Sequence, residues 1–176
     1  MKKHILFSTI LSLFVLAVSA SAQKATNFAG TWTLDIAKSR ISDREKAAIE
    51  FQSLTVVQSD QDVVVTTTTK RVTPPGAEKA AGPNSMSSTF SFDGKETVVS
   101  MNGRDGKPMP VRTSSMWDGS KLVLTTSRTH GSPQGEITTV QKDTWDLMPD
   151  GKTLIIRRDQ TGPEGTTTTA RVYTKS

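Results

Sequence analysis

The chain has 176 residues, no cysteine and a formal net charge of +5. The missing thiols exclude disulfides, thiolate metal sites and cysteine nucleophiles, so stability must come from packing and backbone pairing. Lysines and arginines are mixed with acids along the whole length and aromatic residues make up only 6%, which leaves neither a dense basic run nor a stacking platform for nucleic acid.

The chain opens with Lys2 and Lys3, an apolar stretch from Ile5 to Val18, and the small-x-small pattern Ala20-Ser21-Ala22. This predicts a signal peptide over residues 1–22, cleaved before Gln23, and hence a secreted or periplasmic protein. The apolar run is too short, and too polar at its end, for a membrane span. No membrane insertion is therefore expected after cleavage. Losing the two lysines lowers the formal charge to +3. Residues 23–176, about 150 of them, suit a single domain with a sizeable core.

Thr and Val dominate the remainder, and turn signals recur every ten or so residues, as in an all-β domain of short strands. The first predicted strand runs from Gly30 to Ile36. One helix follows in "SDREKAAIEF", where Ser42 caps and Glu45 stands three residues on, as a capping box requires. It should have two or three turns, with Ala47, Ala48 and Ile49 as its apolar patch. Strands are then predicted at 53–59 and 63–72, joined by "DQD". A long loop, "TPPGAEKAAGPNS", leads to strands at 86–92 and 97–101. Further strands fall at 111–117, 122–128, 137–147, 153–158 and 166–174. The stretches "FDGKETVV", "WDGSKLVL" and "PDGKTLII" share one design, in which Asp-Gly supplies the positive φ of a tight hairpin before an aliphatic run. A meander follows, each strand paired with the next.

Alternation gives the strands two faces. Trp32, Leu34 and Ile36 share a side, as do Met86, Ser88, Phe90 and Phe92. A parallel α/β sheet would need continuous apolar runs and intervening helices. The predicted fold is all-β: a single antiparallel up-and-down β-barrel of about eight to ten strands, with one short helix after the first strand; closure removes exposed edges, which the alternative two-sheet sandwich does less completely.

The opening "NFAGTWTLD" has Phe-x-Gly-x-Trp on the first strand of a meander. It resembles the calycins, the lipocalins and intracellular fatty-acid-binding proteins; distant shared ancestry and a bacterial-type secreted lipocalin-like family both fit. The resemblance implies that Phe28, Gly30 and Trp32 form a structural plug at one barrel end. Trp32 would be the plug itself, and Gly30 would admit its ring or a neighbouring chain closely. Burying a tryptophan there is physically sensible, since it covers more area than any other side chain. The closing "TTARVYTKS" resembles the last strand of the fatty-acid-binding family, where Arg-x-Tyr holds the ligand carboxylate. Arg171 and Tyr173 match that pair, and Lys142 falls near a position where the family often carries a second arginine. The chain departs from that family in having room for one short helix rather than a two-helix lid, in its leader, and in its long loop from Thr73 to Ser85.

Arg171 and Tyr173, two apart on a strand, face the same way and together can clamp a carboxylate. The opposite register, with Ala170 and Val172 inward, places both in solvent, and the flanking threonines do not decide between the two. Phe90 and Phe92 line an interior surface. Half of each threonine run, 66–69 and 166–169, must face inward. His130 is the one histidine after the leader and sits in the turn-like "THGSPQG". No nucleophile elbow, zinc-binding histidine pair or phosphate-binding glycine loop is present, so neither enzyme activity nor a metal or cofactor is expected. The expected function is an exported binding protein that holds a hydrophobic or amphipathic, acidic lipid-like molecule inside the barrel, with Arg171 and Tyr173 on its head group and Phe90 and Phe92 around its tail. Two alternatives stand beside it: a filled barrel serving as an envelope interaction or structural module, whose protein partner is unknown, and, more weakly, an enzyme with carboxylates in the barrel mouth.

Overall fold

The computed structural model describes residues 25–73, 76, 82–102, 106, 108–132 and 135–176. The expected leader lies outside them. Ten strands form: β1 (Gly30–Arg40), β2 (Ile49–Gln58), β3 (Asp62–Arg71), β4 (Asn84–Ser91), β5 (Thr97–Asn102), β6 (Pro108–Asp118), β7 (Lys121–Ser132), β8 (Gly135–Leu147), β9 (Thr153–Gly162) and β10 (Gly165–Lys175). A single helix, α1 (Asp43–Ala48), joins β1 to β2. The strands make one antiparallel sheet in the order β4-β3-β2-β1-β10-β9-β8-β7-β6-β5, which curls into a nearly closed up-and-down barrel. The first and last strands are neighbours, with Trp32 opposite Lys175.

Strands occur where alternation and turn chemistry place them, mostly a few residues longer. Asp150 shows why the turns hold: its carboxylate accepts from the backbone N–H groups of Lys152 and Thr153 at 2.8 and 2.9 Å. Gly151 beside it has φ +64°, a conformation that costs glycine little. His130 lies within β7 rather than in a turn, and is exposed.

The meander fails at one place. Asp93-Gly94 makes its expected turn, with Asp93 accepting from the Lys95 N–H at 2.9 Å, yet β4 and β5 do not pair. Instead β4 faces β6. Thr113 Oγ1 donates to the Thr89 carbonyl at 3.0 Å, and Ser115 Oγ donates to the Ser91 carbonyl at 2.7 Å. Side chains thus close the seam where a backbone ladder was expected, and β5 stays outside as an edge, with Val98 and Val99 exposed.

The helix is also smaller than expected. Ser42 accepts from the Glu45 N–H at 3.2 Å, completing half of the capping box. The Glu45 carboxylate bonds Arg171 on β10 instead of returning to Ser42. No residue of α1 is buried, because Ile49 is already in β2. A bulge precedes it, where Ser39 Oγ donates to the Asp35 carbonyl at 2.7 Å and accepts from the Val172 N–H at 3.0 Å. The bulge keeps displaced backbone groups paired while β1 bends toward the helix.

Candidate functional site

Alternate residues point into the barrel, and read along each strand their polarity changes in one direction. On β7 the inward series is Leu122, Leu124, Thr126, Arg128. On β3 it is Val63, Val65, Thr67, Thr69, Arg71, and on β9 Leu154, Ile156, Arg158. The antiparallel neighbours run the same course in reverse: Trp145, Asp143, Gln141 on β8 and Phe90, Ser88, Met86 on β4. The barrel therefore has an apolar closed end and a polar end, and α1 connects the strands at the polar one.

Phe28, Gly30 and Trp32 all lie at the closed end. Trp32 is fully buried, and its indole Nε1 donates to the Phe28 carbonyl at 2.8 Å. Phe28 stacks on Trp117 at 6.2 Å and meets Trp145 edge-on at 5.7 Å. Gly30 has φ +132°, and a Cβ there would fall 2.8 Å from Lys175 Cε. That lysine lies over the Trp32 ring, with Nζ 5.1 Å from its centroid. The neighbouring chain that needs the glycine's space is thus β10.

Above this floor lies a cavity of about 210 Å³. Leu54, Val65, Phe90, Leu124, Trp145 and Ile156 form its apolar part, and Gln52, Thr67, Gln141, Asp143, Arg158 and Tyr173 its polar wall. Opposite each other on β8 and β9, Asp143 and Arg158 form a two-pronged ion pair, Nε to Oδ1 and Nη2 to Oδ2, both 2.7 Å. Gln141 Nε2 donates to the same carboxylate at 3.0 Å. Burial by itself would lower the Arg158 pKa, but the bond and charge of Asp143 outweigh it and hold Arg158 above ordinary arginine. Tyr173 donates its hydroxyl to Gln52 Oε1 at 3.0 Å. Its burial, only partly offset by the positive charges of Arg171 and Arg158, pushes its pKa up to about 12. It is therefore a neutral donor at physiological pH. The Trp145 indole N–H is buried with no hydrogen-bond partner among the described residues.

The register left open at the last strand is resolved: Arg171 and Tyr173 both face inward and are buried, at 6% and 2% exposure. They do not converge on one point. Tyr173 lines the cavity, whereas Arg171 lies outside its lining and is held by Glu45 and, at 3.1 Å, by Thr169 Oγ1. Phe90 lines the cavity too, while Phe92 packs on Trp117 at 5.4 Å. Lys142 is exposed on the outer face, and its neighbour Asp143 points in. Within the threonine run of β3, Thr67 lines the cavity and Thr66 and Thr68 bond serines outside. Among the described residues no group of three or more His, Asp or Glu side chains is placed to hold a metal, and no helix is long and apolar enough to cross a membrane.

Sequence reasoning missed Asp143 and Arg158, although alternation from Trp145 and Ile156 puts each on the inner face.

Neither a family model nor a curated protein matches this chain. Among solved structures, the chain is similar to zebrafish ileal bile acid-binding protein complexed with cholic acid. The two share 19% identity over 85% of this chain and 98% of that one, with a TM-score of 0.48. At this degree of likeness no residue role passes from one protein to the other.

Proposed function

We propose that the chain is an exported binding protein that holds one small hydrophobic or amphipathic molecule inside its barrel, an acidic lipid-like compound being the class to test first. The observation that carries this reading is the cavity itself, an apolar floor under a polar wall. A barrel of this size either fills its interior or holds a ligand, and here packing stops above the closed end. The unpartnered Trp145 N–H supports an occupant with polar character, since a buried donor left unmet costs about 1–3 kcal/mol. At about 210 Å³ the cavity is smaller than the several hundred Å³ usual for drug-sized ligands, roughly 300 Å³ and upward. The enclosed part of the ligand is therefore compact. The leader pattern at 1–22 and the calycin resemblance of both chain ends support the same reading.

The test is to purify the chain from its native export compartment and compare native with denaturing mass spectra. A stoichiometric small molecule lost on denaturation is the expected result. A clean apo mass, with no uptake of a fluorescent fatty acid afterwards, would favour the surface-module alternative.

A further inference from the structure

We infer that an acidic amphiphile in this barrel binds head-outward, with its anionic group on Arg128 at the rim and its tail on the floor formed by Leu54, Val65, Phe90 and Leu124. This rests on the reading of the cavity as a ligand site.

The argument is one of charge accounting. Two arginines in or beside the interior are already paired with acids. Arg158 is saturated on one side by both oxygens of Asp143. Arg171 is held by Glu45 and Thr169 and does not line the cavity. An incoming carboxylate at either would place a second anion beside the acid already there, or displace that acid and leave it unpaired. Breaking a buried pair in this way is strongly unfavourable. Each of these two pairs is neutral as it stands.

Arg128 differs from both. It lines the same cavity, yet among the described residues its only side-chain partner is the Met86 sulfur at 4.0 Å, and none of them gives it a carboxylate. It is also half-exposed, so an anion bound there keeps part of its hydration. Arg71, likewise without a carboxylate partner among the described residues, lies on the same rim beside Thr69 and Met86 and adds to the positive potential. The strand geometry gives the ligand its direction. Trp145 pairs with Leu122 on β7, six residues below Arg128, which is roughly 20 Å along the strand. A molecule lying along that line meets apolar side chains first from below and a guanidinium last. This is the reverse of the orientation the Arg-x-Tyr resemblance implies.

Isothermal titration calorimetry on the exported chain with decanoate and decan-1-ol tests this, near neutral pH where decanoate is ionised. The two probes share a tail and differ in charge. Decanoate is expected to bind about fivefold more tightly at low salt, the upper range for a partly exposed charge pair, and to lose that advantage as salt rises. Arg128→Ala should abolish the advantage and leave decan-1-ol unchanged, and Arg128→Lys should keep part of it. Because Arg128 is half-exposed, neither substitution threatens folding, which near-ultraviolet circular dichroism would confirm. An advantage that survives Arg128→Ala, or that ignores salt, would overturn the head-outward orientation while leaving a ligand-binding barrel. Failure of the unaltered chain to bind either probe would remove the ligand site itself, and the orientation with it.

Discussion

The two ends of the barrel solve opposite problems with the same alternating strands. At the closed end Phe28, Trp117 and Phe92 pack ring against ring, and the buried Trp32 indole donates to the Phe28 carbonyl four residues away. At the polar end large side chains are also turned inward, but there they carry charge, and Asp143 with Arg158 and Glu45 with Arg171 satisfy one another. Close packing and polar pairing therefore alternate along one axis, and the cavity lies where the first gives way to the second. The largest effect should come from the packed end. Trp32→Ala is expected to lower the unfolding free energy by about 3–5 kcal/mol, read from the urea midpoint. An unchanged midpoint would show that the aromatic cluster does not close the barrel.

A second substitution brings the polar end into the same scale. Asp143→Ala leaves Arg158 facing the cavity without its carboxylate, with the Arg158 side chain 27% exposed. Removing one partner of a fully buried pair costs about 3–5 kcal/mol, and the partial exposure reduces the expected loss to about 2–3 kcal/mol. The double variant Asp143→Leu with Arg158→Met should recover most of it, because apolar side chains of similar volume replace a buried pair at little cost. A double variant as unstable as the single one would mean that the pair organises the wall in a way packing cannot.

The closed end was more legible in the sequence than the polar one, for a physical reason. An apolar residue at alternate positions has one plausible destination, so Phe28, Trp32 and the strand faces could be read directly, as could the ten strands from their turns. A charged residue has two. Asp143 opposite Arg158 looks the same in sequence as Lys121 opposite Asp146, an ion pair at 2.8 Å on the surface. Only the phase of the flanking Trp145 and Ile156 separates them. The seam was illegible for another reason. The turn at Asp93-Gly94 has the same local chemistry as those that make hairpins, and what takes β4 to β6 is Thr113 and Ser115, hydroxyls some twenty residues distant. Glu45 was read correctly as a residue at the helix start, but a nearby buried guanidinium is a stronger partner than one backbone N–H.

Tyr173 supplies the smallest effect, since it is silent at neutral pH. In the unfolded chain its phenol ionises near the usual value of about 10, whereas burial in the cavity wall pushes it up to about 12. Between those values the folded chain keeps a proton that the unfolded chain has lost. Stability attributable to this group is therefore unaffected below about pH 10 and falls as pH rises through the window above it. The chain contains one tyrosine, so phenolate absorbance follows Tyr173 alone. The expected record is a flat baseline through pH 10, with absorbance rising only near 12 or together with unfolding, while the urea-denatured chain titrates near 10. A folded chain that titrated near 10 would place the hydroxyl in open water instead of on Gln52. The wall would then be wetter than the hydrogen bonding describes, and the division between a packed end and a paired one would lose its sharpest marker.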